Sequence, residues 1–115
     1  ECMEVELAVT DEEHFKGLSN RTSLDEDKGM LFVFKRRREH AFWMKEMLFA
    51  LDIIWIDENG AVVDFFENAQ PCDGPICIPI IPESSAKYVL EVNAGTMNRI
   101  GFSLGDKLDV RLKDI

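Results

Sequence analysis

Asp52 and Glu67 each lie in an apolar stretch of this chain. As a carboxylate pair they could hydrolyse a glycosidic bond, one protonating the leaving oxygen while the other activates water or attacks directly. Together with Arg21, Trp43 and Lys45 they could equally line a binding pocket, and a tryptophan beside carboxylates suits a sugar ring. Asp52 also has a plainer reading, in which it ties down a bend by accepting hydrogen bonds from backbone amides. On that reading Asp52→Ala costs about 1–3 kcal/mol. Glu46→Ala, on an exposed bend, costs under about 0.5 kcal/mol.

Other chemistries find little to work with. His14 is placed on a helix surface and His40 on a basic turn, so neither has a nucleophile beside it. Ser84 and Ser85 lack the surroundings of a nucleophile elbow. The chain contains neither a glycine-rich phosphate loop nor a dinucleotide fingerprint. No cofactor is expected. The aromatic residues Phe32, Phe34, Phe42, Phe49, Phe65 and Phe66 read as core more readily than as a sugar platform.

Cys72 and Cys77 flank the turn signal Asp73-Gly74-Pro75, which could bring them within bonding distance. A disulfide there would close a short loop and contribute about 2 kcal/mol. Two free thiols are the alternative. Zinc is a third reading, with Cys2, His14 and His40 the remaining ligands, but no metal site is assigned.

The elements that must position these residues follow from periodicity. "CMEVELAV" alternates as a half-buried strand. Thr10 and Glu13 stand at capping-box spacing and open a short helix, on which Phe15 and Leu18 share a face. "MLFVF" reads as a buried strand, "KRRRE" as a solvated turn and "AFWMK" as another strand. An exposed bend at Lys45–Glu46 precedes the strand "LDIIWID", where Asp52 lies among apolar neighbours. Asn59-Gly60 turns the chain into "AVVDFFENA". The loop after it holds all four prolines. "KYVLEV" turns Tyr88, Leu90 and Val92 to one face and Lys87 and Glu91 to the other, and Asn93 caps a second short helix. "LGDKLDVRL" ends the chain as a strand, with Leu108, Val110 and Leu112 inward. The sum is one mainly β domain over residues 1–115, α+β tending to all-β. It is expected to form a small curled sheet or barrel of about seven strands with two short helices.

The formal charge of −9, from 22 acidic against 13 basic residues, disfavours nucleic acid and anionic lipid as partners. Charges interrupt the longest apolar run far short of the ~20 residues a spanning helix needs. The chain opens at Glu1 without a methionine, consistent with a leader, anchor or tag ahead of it. Glu1 before Cys2 does not suit a lipidated N-terminus.

Arg21, "GMLFVF", "FWMK", "LDIIWID", "YVLEVNAG" and Gly105-Asp106 follow one another in order. The sequence thereby resembles the domain-of-unknown-function 192 family of prokaryotic proteins over nearly its whole length. The resemblance implies a small, mainly β domain without an established activity, exported or anchored in many members. It also implies a cysteine pair in the proline-rich loop, here Cys72 and Cys77. This chain has Glu46, Met47 and Ala50 where the family usually has asparagine, threonine and proline. The expected function is a non-enzymatic binding or interaction module of the cell envelope or exterior, with a small molecule, glycan or protein as partner. The alternative is a small carboxylate-pair hydrolase acting on a glycan. The disulfide favours an extracytoplasmic location. Disulfide-rich cytosolic proteins of hyperthermophiles keep the cytoplasm open as a second setting.

Overall fold

The computed structural model describes residues 2–109. Five strands form one mixed sheet: β1 (Glu4–Ala8), β2 (Lys28–Arg38), β3 (Leu51–Ile56), β4 (Val62–Ala69) and β5 (Ala86–Asn93). Their order is β1-β2-β5-β3-β4, and the sheet is curled without closing into a barrel. β1 runs parallel to β2, and the other neighbours are antiparallel. Helices α1 (Asp11–Lys16) and α2 (Thr96–Ile100) complete the elements.

Both faces of the sheet are covered, so the central strands read as apolar runs rather than clean alternations. Every residue of β3 is buried. Leu51, Ile53 and Trp55 join Met30, Phe32, Met44, Met47 and Val89 on one face. Ile54 and Ile56 join Leu31, Val62, Leu90, Val92 and Met97 on the other. Each such aliphatic side chain removed from water contributes about 1.5–3 kcal/mol.

α1 starts as its sequence requires: Thr10 and Glu13 form the reciprocal capping box. The backbone amides of Thr10 and Val9 hold the Glu13 carboxyl below its usual range. Leu18 is buried as expected, but Phe15 is 81% exposed, because the chain leaves the helix at Gly17 before the two can share a face. The Asn59-Gly60 hairpin turn forms between β3 and β4, with Asp57 Oδ1 accepting from the Asn59 and Ala61 amides. Gly60 has a φ of +84°, and a Cβ there would lie 2.6 Å from the Leu108 carbonyl oxygen. Both facts demand glycine.

Five strands stand where about seven were expected. "AFWMK" makes only the isolated bridges Phe42–Ile80 and Lys45–Cys72. β5 and β4 already flank β3, and β1 and β5 already flank β2, so neither of the strands next to the segment in the chain offers it a free side, and it lies across the face instead. Within 104–109 the final expected strand makes one bridge, Lys107 to Ala61. Its remainder, with Val110 and Leu112, lies outside the described residues. The basic run is not a turn. It extends β2 to Arg38, which pairs with Ala86 beyond a register shift. Arg37 is held there by Ser85 Oγ and Glu58, and Lys87 Nζ donates to the Lys35 carbonyl. Asn93 does not cap α2. Its amide donates to the Leu24 carbonyl, and Gly95 takes the cap position.

Asp52 supplies the cap instead. It is wholly buried on the face of Ile54 and Ile56. Oδ1 accepts from the Asn68 amide at 2.9 Å, and Oδ2 accepts from the Gly95 and Met97 amides at 3.1 and 3.0 Å. The backbone-amide reading of Asp52 therefore holds. The amides come from β4 and α2, however, and not from the Lys45–Glu46 bend.

Candidate ligand-binding site

The largely aromatic face of the sheet carries a cavity of about 170 Å³ between α1 and the 40–47 segment. β2 contributes Phe32 and Phe34, the overlying segment contributes His40, Phe42, Trp43 and Lys45, and β5 contributes Glu91. The rings brace one another. His40 stacks on Phe34 at 3.6 Å between centroids, and Phe42 meets Phe32 edge-on at 4.8 Å. Such pairs add about 0.5–1.5 kcal/mol beyond their buried area.

Both histidines are fixed by carbonyls. His14 Nε2 lies 2.9 Å from the Ala8 and Val33 carbonyl oxygens. His40 Nε2 lies 2.9 Å from that of Arg36. Carbonyls only accept, so Nε2 carries the proton on each ring. Burial holds the His40 imidazole below its usual pKa, against the Arg36 carbonyl, which raises it. Trp55 Nε1 donates to the His40 carbonyl and fixes the segment from below.

Glu91 sits at the centre of the sheet, paired with Met30 on β2 and Ile53 on β3, and is only 4% exposed. Burial alone pushes its carboxyl up to about 8, with no hydrogen bond or neighbouring charge opposing. Among the described residues no buried side-chain polar atom is sealed off without a partner. The oxygens of Glu91 therefore face the cavity it lines. At neutral pH this group is mostly a carboxylic acid, able to donate as well as accept.

Of the five residues singled out from sequence, Trp43 and Lys45 line this cavity, with Lys45 Nζ 5.2 Å from the centre of the Trp43 ring. Arg21 lies elsewhere, in a two-bond ion pair with Glu6 on β1. Its guanidinium holds the Glu6 carboxyl below the usual range. Asp52 is on the opposite face, and Glu67 is exposed on edge strand β4. Glu91, placed outward by alternation, is instead buried. The available signal was the run Val89, Leu90, Glu91, Val92, which is apolar on both sides as a central strand must be. His14 and His40, assigned to the surface, are half-buried in the cavity wall.

Cys72 and Cys77 are bonded, with Cα atoms 5.8 Å apart, and Cys2 is free and exposed. The bond leaves neither thiol to zinc, and no cluster of metal-ligating side chains occurs among the described residues. The Cys72 amide donates to the Met44 carbonyl, so the disulfide loop braces the segment above the cavity. Alkylation without reductant should modify Cys2 alone. Mass spectrometry finding all three cysteines labelled in non-reduced protein would contradict the bond.

The family model for domain of unknown function 192, described as Uncharacterized ACR, matches residues 1–110. The chain belongs to the DUF192 family. A UPF0127 protein of Thermococcus sibiricus is 24% identical over 96% of this chain and 68% of its own. A candidate transcription regulator of Sinorhizobium meliloti 1021 has a crystal structure with a TM-score of 0.82. It is 39% identical, covering 91% of this chain and 79% of that one. A Novosphingobium aromaticivorans protein of unknown function has a TM-score of 0.81 and 35% identity, over 91% of this chain and 73% of its own. In this DUF192 domain, of Glu46, Met47 and Ala50 only Met47 lines the cavity, where it is buried, and Glu46 is exposed at a φ of +62°.

Proposed function

We propose that this domain is a non-enzymatic binding module that takes a small molecule into the aromatic cavity beneath Trp43 and Lys45. The observation that carries this reading is Glu91. A carboxyl in the middle of a sheet, without a protein partner, costs several kcal/mol unless something else answers it. Replacing it by an apolar side chain would remove that cost, so its presence argues for use. The carboxylate-pair hydrolase draws less support, because both oxygens of Asp52 are engaged by backbone amides. The charge of −9 speaks against nucleic acid as the partner. No helix among the described residues is long and apolar enough to cross a membrane. The disulfide supports a setting in the cell envelope or exterior.

A fragment set of small amines, carboxylic acids and neutral amides, titrated at millimolar concentration, tests this by nuclear magnetic resonance. Shifts converging on the amides of His14, Phe34, Phe42, Trp43 and Glu91 are expected. Shifts that gather elsewhere, or none at all, would refute the assignment of the site.

A further inference from the structure

The charged groups around the cavity are arranged by depth. Glu91 is buried in its wall, and Lys16 and Lys45 are exposed at its rim. The rings of Phe32, Phe34 and Phe42 line the same cavity. Aromatic faces attract a cation, and a buried carboxylate lacking any protein donor attracts one more strongly. Two lysines at the mouth favour an acid group at the other end of the same molecule. At about 170 Å³ the space is below the roughly 300–1,000 Å³ of pockets for drug-sized ligands.

Accepting the cavity as the binding site, we infer that its ligand is a small amine carrying an acid group. The ammonium sits on the Glu91 carboxylate, and the acid group sits at Lys16 and Lys45. An amino acid or a short ω-amino acid has this chemistry. Such binding moves one proton. Glu91 gives up its carboxyl proton to solvent as the ammonium docks, and the ion pair that forms is closed in by the rings. The other titratable groups facing the cavity are His14 and Lys16 of α1 and His40 and Lys45 of the overlying segment. The strands flanking β5 place only Met30 and Ile53 beside Glu91.

The test compares ω-aminoalkanoates of graded length with the matching n-alkylamines and n-alkanoates. Calorimetry in two buffers of different ionisation enthalpy counts protons, and amide shifts locate binding. Aminoalkanoates should bind best, alkylamines more weakly and alkanoates least, with close to one proton released near neutral pH. Glu91→Gln should weaken aminoalkanoate binding about 10- to 100-fold and abolish the proton release. Lys16→Met with Lys45→Met should remove the advantage of aminoalkanoates over alkylamines while leaving alkylamine binding in place. Alkanoates binding as tightly as aminoalkanoates, no binding by any aminoalkanoate, or unchanged binding by Glu91→Gln would overturn the inference. If Glu91→Gln fails to fold, the rank order and proton count of the unaltered protein still decide. Alkanoates shifting Phe42 and Trp43 at concentrations as low as aminoalkanoates need would leave the binding-module reading standing while this inference fell. Silence from every probe and from the fragment set would sink both.

Discussion

Asp52→Ala should lower the unfolding free energy by about 3–5 kcal/mol, because it strips the acceptor from three backbone amides at once. This exceeds the about 1–3 kcal/mol expected of an aspartate tying one bend, since the carboxylate joins elements distant in sequence. Oδ1 holds the Asn68 amide of β4, where the register between β3 and β4 shifts and Asn68 takes a φ of +57°. Oδ2 holds the start of α2, whose Gly95 cap has no side chain to do so. Without Asp52 all three donors lose their acceptor, and that of Met97 is left buried and unmatched. Asp52→Asn should recover part of the loss through its remaining carbonyl oxygen. Glu46→Ala should stay under about 0.5 kcal/mol, as for other exposed positions. Urea midpoints for the three variants check the ranking, and equal small losses at Asp52 and Glu46 would refute it.

Glu91 should make the protein less stable as the solution becomes more alkaline. In the unfolded chain its carboxyl ionises near 4.5, whereas in the fold it keeps its proton up to about 8. Between those values the folded state binds the extra proton, so stability falls with rising pH, by about 1.4 kcal/mol per unit. Across the whole interval this is about 5 kcal/mol. His40 opposes the trend in acid. Its folded pKa is lowered, so the stability it contributes is present above about 6.5 and lost as pH falls. Glu6 and Glu13, also lowered, lose theirs in more acid solution. The slope due to Glu91 is therefore cleanest from about 6.5 to 8, where it should amount to about 2 kcal/mol. Glu91→Gln should flatten that limb and leave the variant more stable than the parent at pH 8. Denaturant unfolding across the range measures it, and parallel curves for the two proteins would show that burial does not govern this carboxyl.

Local chemistry was legible in the sequence wherever a few neighbouring residues decide the outcome. The Thr10–Glu13 capping box, the Asn59-Gly60 turn and the Cys72–Cys77 bond are of this kind. Strand number was harder, since "AFWMK" has the right residues for a strand but adjoins in the chain two strands, β2 and β3, that are already paired on both sides. That is a property of the whole topology. The cavity was half legible: Trp43 and Lys45 drew notice as a tryptophan and a charge in an apolar run. Glu91 escaped because alternation assumes one wet face, and β5 has none. His14 and His40 escaped because their burial depends on which segment lies over which strand.

The position of β5 bears on how this chain reaches its fold. The β3–β4 hairpin is local, and β1 with β2 needs only the first third of the sequence, yet within the sheet the two pairs are joined only by β5. During synthesis the central edges of β2 and β3 thus stay unpaired until residues 86–93 have left the ribosome. Collapse must wait on a late, long-range insertion, the kind of event that slows folding and exposes open edges to neighbouring chains. Chains cut short before Ala86 should consequently aggregate rather than populate a smaller native core.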